Sequence, residues 1–190
     1  IELEYAQLPL VLGTDKKRLS KRNAATSLEE YREKGYLDSA IINALARLGW
    51  SQGNNEVFYI TDLIKEFNIK DVQKAGAIFD ISKLDWLNSQ HLANLTLNQF
   101  KKNLEPFLKK ISIDMDSHSN VDSLIEAMRT SSDTLSGIAQ SLIPYYQDIN
   151  EYDEKAIDKF VSDKNLLMQL WDLIDGIHDW NLDSIESSLT

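Results

Sequence analysis

Ser27-Leu28-Glu29-Glu30-Tyr31-Arg32-Glu33-Lys34-Gly35-Tyr36-Leu37-Asp38 carries a complete set of helix punctuation. Ser27 and Glu30 have capping-box spacing: the hydroxyl can accept from the Glu30 amide while the carboxylate returns to the Ser27 N–H. A helix is therefore expected from Leu28, ending before Gly35, whose missing Cβ suits a left-handed stop. Asp38 can cap a second helix, with Ile41, Ile42, Leu45 and Leu48 at helical period and Gly49 as its stop. Gln52-Gly53-Asn54-Asn55 reads as a turn.

The same logic extends outward. Upstream, Leu8-Pro9-Leu10-Val11-Leu12-Gly13 reads as a short edge or terminal strand, followed by a basic loop. Downstream, helices are expected over Thr61–Phe67, Ser82 to about Ala93, and Thr96 to about Ile111, the last opened by a Thr96/Gln99 capping box. Asp114-Met115-Asp116-Ser117-His118-Ser119-Asn120 is polar and aperiodic, and reads as the clearest internal boundary. Beyond it come the apolar sets Val121, Leu124, Ile125, Met128 and Leu135, Ile138, Ala139, Leu142, Ile143, where Pro144 should bend or break the helix. Further helices carry Ile157, Phe160 and Val161, then Leu166, Leu170, Trp171 and Ile174, and a last one begins near Asn181. The fold class is mainly α, with strand confined to the first sixty residues.

With no cysteine among 190 residues, a disulfide framework is excluded and a reducing compartment fits. No apolar run approaches the length of a membrane span, so a soluble, cytoplasmic chain with no membrane partner is expected. Ile1 opens the sequence, and a natural chain reaching further N-terminally is expected. The net charge of -10 is unevenly spread. Residues 1–22 hold five basic and three acidic residues, 23–110 eleven of each, and 111–190 four basic against sixteen acidic. Phosphate contacts come from Lys and Arg, so the first part tolerates a nucleic acid and the last repels it unless its few cations are well placed. On charge alone, an acidic helical protein-interaction module is the competing reading.

Five cations fall within Lys16-Lys17-Arg18-Leu19-Ser20-Lys21-Arg22. Lys as a mobile point charge and Arg as a planar fork suit phosphate oxygens, although a solvated basic loop has the same composition. The order of residues adds more. Arg18-Leu19-Ser20-Lys21-Arg22 resembles the signature loop of class I aminoacyl-tRNA synthetases in the form used by glutamyl-tRNA synthetases. Tyr5–Gly13 resembles the strand entering that loop. Ser27–Leu37 and Ala44–Ser51 resemble the segments after it. Phe79-Asp80, Lys83-Leu84 and Trp86-Leu87-Asn88 with His91 resemble a later segment of the same family. The pattern departs at Arg18, where Lys is usual, and at Asn23-Ala24, where His-Gly is usual.

The resemblance implies three parts: residues 1–22 as the end of a catalytic domain with its loop, 23–98 as a stem-contact region, and 99–190 as an incomplete all-helical anticodon-binding region. It implies that Lys21 is catalytic, neutralising charge on pyrophosphate as glutamate attacks ATP. Arg18, Ser20, Lys21 and Arg22 are the implied ATP-binding residues, and ATP with Mg2+ the implied cofactor of an intact enzyme. The segment with the His-Ile-Gly-His-like element is not in this sequence, so the isolated chain is expected to be inactive. The implied partner is tRNA(Glu), with tRNA(Gln) left open, and the enzyme is expected to be a monomer. Lys83, Asn88, His91 and Arg129 are the candidate RNA contacts, while helix caps, core neighbours or a surface ion pair answer the same residues. Ser131 and Asp133 stand where the family usually has cations.

No metal site is expected. Asp114, Asp116 and His118 imitate the start of a calcium loop, but Ser119 replaces its glycine and Ile125 its closing glutamate. Trp50, Trp86, Trp171 and Trp180, like Phe100, Phe107 and Phe160, could stack on unpaired bases, yet their Leu and Ile neighbours point to core packing for most.

Overall fold

The computed structural model describes residues 5, 7–19, 27–117, 120–148, 152–161 and 163–189. The described chain forms two compact units, residues 1–147 and 148–190.

In the first unit, strand β1 (Val11–Leu12) pairs in parallel with β2 (Ala77–Ile78), with Val11 opposite Ala77 and Leu12 opposite Ile78. Strand is thus not confined to the first sixty residues. A two-residue strand has no periodicity to read, and only the long-range pairing defines it. Between the strands lie α1 (Leu28–Lys34), α2 (Asp38–Ala46) and α3 (Ile60–Glu66). After β2 come α4 (Ile81–Ala93), α5 (Leu97–Lys110), α6 (Val121–Met128) and α7 (Leu135–Tyr146).

The local signals explain the starts and stops. Glu30 N donates to Ser27 Oγ at 3.2 Å, and Gly35 closes α1 at φ +85°. Gln99 N donates to Thr96 Oγ1 at 3.3 Å, while Thr96 N donates to Gln99 Oε1 at 3.0 Å. Asp38 instead occupies the first position of α2, with Leu37 as the N-cap residue; its carboxylate accepts from Ser39 N. The buried stripe of α2 also differs from the expected one. Ala40, Asn43 and Ala44 face inward, whereas Ile42 and Leu45 are exposed. Small side chains let α2 lie close to α4, a choice that weighting by hydrophobicity alone misses. Pro144 lies within α7 rather than breaking it. Its missing amide costs one bond to the preceding turn, and the helix ends two residues later.

The main core joins Leu37, Ala40 and Leu92 to Phe100, Leu104 and Leu108 of α5 and to Ile125, Ile138 and Leu142 of α6 and α7. Smaller clusters gather Tyr31 with Leu84 and Leu87, and Trp50 with Phe58 and Leu63. The polar loop after α5 does not divide the unit. Ile113 and Met115 are buried in the main core, Tyr146 Oη donates to the Met115 carbonyl at 3.2 Å, and Gln147 Nε2 to that of Ile111 at 3.1 Å.

The second unit holds α8 (Glu154–Phe160), α9 (Lys164–Asp175) and α10 (Leu182–Leu189). Asp153 and Asp163 cap α8 and α9 by accepting amide protons two or three residues on. Among the described residues no helix is long and apolar enough to cross a membrane.

Candidate nucleic-acid interface

The approach to the basic loop is a tight reversal. Gly13 N donates to the Lys17 carbonyl, Lys16 N to that of Gly13, and Leu19 N to that of Val11, each at 2.9 Å. Lys17 N also donates to Asp15 Oδ1 at 3.0 Å. Leu12 is thereby held on two sides, bridging Arg18 in antiparallel fashion and passing its carbonyl to Phe79 N at 2.8 Å. Arg18 is exposed at this reversal. Ser20, Lys21 and Arg22 lie outside the described residues.

The other four candidates all meet α4. Lys83, in its first turn, keeps 41% of its side chain exposed. Its ammonium lies 2.5 Å from Glu56 Oε2 and 5.2 Å from the centroid of the Trp86 ring. Arg47 Nη2 reaches Glu56 Oε1 at 3.5 Å. The hydrogen bond from Lys83 is the main reason the Glu56 carboxyl titrates below the ordinary carboxylate range.

Asn88 and His91 point the other way. Asn88 is fully buried; its Oδ1 accepts from Leu37 N at 2.8 Å and its Nδ2 donates to the Asp133 carbonyl at 2.5 Å. His91, 2% exposed, has Nε2 at 3.1 Å from Asn43 Oδ1 and its ring edge-on to Tyr59 at 5.0 Å. Asn43 Oδ1 also accepts from Phe58 N at 2.7 Å, and its Nδ2 donates to the Glu56 carbonyl at 3.0 Å. An oxygen at that position requires the proton on His91 Nε2, leaving a buried Nδ1 without a protein partner. Burial lowers the His91 pKa, with Asp38 pulling weakly the other way.

Expected RNA contacts at Asn88 and His91 therefore give way to an internal role. Asn88 spends its polar atoms on backbone and His91 its Nε2 on the buried Asn43 amide, and neither presents a surface. Arg129 is also turned inward, against the end of α4: its Nη2 donates to the carbonyls of Leu92, at 3.0 Å, and Leu95. Reasoning from sequence missed Asn43 and Glu56. Asn43 had a signal, an amide at i+3 from Ala40 within an apolar helix stripe; Glu56 had none, because its cations come from two separate helices. Among the aromatics, Trp50 and Phe100 are core and Phe107 packs against the main core, whereas Trp86, Trp171 and Trp180 are exposed.

Residues 1–86 match the family described as tRNA synthetases class I (E and Q), catalytic domain, and residues 99–190 match the anticodon binding domain family. The chain is 33% identical over 186 residues to the glutamate–tRNA ligase of Ruthia magnifica subsp. Calyptogena magnifica, covering 98% of this chain and 41% of that protein. It is 36% identical over 183 residues to the glutamate–tRNA ligase of Vesicomyosocius okutanii subsp. Calyptogena okutanii, covering 96% and 40%. The crystal structure of a glutamate tRNA ligase from Elizabethkingia meningosepticum, in complex with its amino acid, superposes with a TM-score of 0.78 at 28% identity, over 97% of this chain and 41% of the other. The chain spans about two fifths of the length of these relatives. Two matched domains in series, with relatives of one kind across nearly the whole chain, establish that it belongs to the glutamate- and glutamine-specific class I tRNA synthetases, alongside the glutamate–tRNA ligases.

Proposed function

We propose that this chain is the tRNA-holding part of a glutamate–tRNA ligase, an enzyme that uses ATP to join glutamate to tRNA(Glu) in the cytoplasm. The order of the two domain matches, catalytic and then anticodon-binding along one continuous sequence, carries the reading. We further propose the division drawn from sequence: loop end through residue 22, stem-contact region 23–98, anticodon-binding region from 99. Arg18, Ser20, Lys21 and Arg22 meet the phosphates of ATP, and Lys21 opposes the charge that builds on departing pyrophosphate. Cations held where the charge develops stabilise the transition state more than the ground state. Mg2+ would accompany the ATP phosphates in the intact enzyme. Lys83 supplies a backbone contact on the stem-contact side.

Titration of tRNA(Glu) against the chain over a salt series tests the binding half. Affinity should fall steeply with salt, the logarithm changing by about 0.7 to 0.9 for each phosphate neutralised per tenfold in salt. An acidic adaptor would bind no tRNA at any salt. The catalytic half is tested in a full-length ligase carrying this segment. Lys21→Ala should slow glutamate-dependent pyrophosphate exchange by roughly a hundred- to a thousandfold, and an unchanged rate would refute the role.

A further inference from the structure

Arg129 stands at the joint between the two matched regions. Helix α4 ends at Ala93, α5 begins at Leu97, and the matched families leave residues 87–98 between them. The last carbonyls of any α-helix lack partners inside it. Here the Arg129 guanidinium, delivered from the end of α6, ties that end to the residues after it: Nη2 donates to the Leu92 carbonyl, which also accepts from Leu95 N at 3.2 Å, and to the Leu95 carbonyl beyond the helix. Its Cζ sits over the ring of Phe100, in the first turn of α5, 4.9 Å from the centroid. Nη1 donates to both Glu126 oxygens, at 3.2 and 3.3 Å, and Nε is buried without a protein partner. One side chain, only 13% exposed, thus touches the end of α4, the start of α5 and α6. A cation at a helix C-terminus also complements the helix dipole.

We propose that Arg129 is a positioning residue for RNA binding: it locks the α4–α5 corner so that the two regions meet one tRNA in a fixed relative orientation. This rests on the tRNA-binding reading above. It also replaces the direct contact expected from sequence, because Nη2 is committed to the two carbonyls, Nη1 to Glu126, and Nε is buried. The fork is what matters. Lysine keeps the charge but has one nitrogen, so it cannot hold the carbonyl pair and Glu126 from the two arms of a planar group that also covers the Phe100 ring.

The test measures tRNA(Glu) affinity over a salt series for the unaltered chain, Arg129→Lys and Arg129→Gln. Each is first confirmed folded by circular dichroism and assayed well below its own melting midpoint. Both variants should lose affinity alike, by roughly tenfold, as expected when a minority of molecules holds the competent geometry. Their salt slopes should match that of the unaltered chain. Rescue by lysine, or a slope reduced by about one, would mean a direct phosphate contact and overturn the proposal. Full affinity in both folded variants would also overturn it, leaving Arg129 a purely structural residue. If Arg129→Gln does not fold, Arg129→Lys against Glu126→Gln decides: the lysine variant should lose binding, while Glu126→Gln, which leaves the carbonyl bridge and ring contact in place, should keep it. No binding by the unaltered chain would refute the tRNA reading itself, and this proposal with it.

Discussion

The two compact units use the same sequence grammar with opposite results. Both contain amphipathic helices opened by well-formed caps, and α5 and α9 have equally clear apolar stripes. In the first unit the stripe is covered: Phe100, Leu104 and Leu108 are closed off by α6, α7 and the Ile113–Met115 return. In the second, Leu166 is 62% exposed and Trp171 70%, and among the described residues only Ile177 is buried. Periodicity tells which residues share a face. It does not tell whether another element exists to cover that face.

The largest expected effect tests this contrast with one residue type. Leu104→Ala removes a fully buried side chain from the main core and should cost about 2–5 kcal/mol of unfolding free energy, part transfer and part cavity. Leu166→Ala on α9 should change stability by less than about 0.5 kcal/mol. Urea melts of both variants measure the difference. Equal costs would break the contrast, and a Leu166 cost that grows with protein concentration would show the second face covered by another copy.

A pair of glycines offers an intermediate effect. Gly35 and Gly53 both have positive φ, +85° and +56°. A Cβ on Gly35 would lie 2.7 Å from Leu135 Cβ and 2.8 Å from Ser136 N, against backbone that also bonds to it, since Leu135 N donates to the Gly35 carbonyl. At Gly53 nothing lies within 4 Å. Gly53→Ala should therefore cost only the left-handed penalty, about 1 kcal/mol. Gly35→Ala should cost at least about 2 kcal/mol, because α1 must also part from the start of α7. Similar thermal shifts for the two variants would remove the packing part of the explanation.

What could be read from the sequence obeys the same division between local and distant causes. The Ser27 and Thr96 caps and the Gly35 stop were legible because every atom involved lies within a few residues. The family was legible from the loop and its flanks, since residue order in several segments is itself local information. Strand β2, the inward stripe of small residues on α2 and the burial of Met115 were not, because each depends on what packs against it from far along the chain. The candidate contacts split likewise. Sequence picked out Asn88, His91 and Arg129 as unusual polar residues. Only the structure shows them turned inward, each satisfying groups that another segment leaves open.

His91 gives the finest test, because its burial in the first unit can be read against the exposed His178 of the second. Burial lowers the folded pKa of His91, so the folded chain binds fewer protons there than the unfolded chain. As pH falls through about 6.5, the unfolded imidazole takes up a proton that the folded one resists, and stability drops. The drop cannot exceed about 1.4 kcal/mol per pH unit for one group. The relevant surroundings are Asn43, which fixes Nε2 as donor, the Tyr59 ring, and Asp38, whose charge moderates the shift. Melts at pH 7.5 and 5.5 should show His91→Gln losing less stability on acidification than the unaltered chain, even if it starts lower. His178→Gln controls for removing an imidazole as such. Parallel losses in His91→Gln and the unaltered chain would mean that the buried Nδ1 is not kept neutral by the fold.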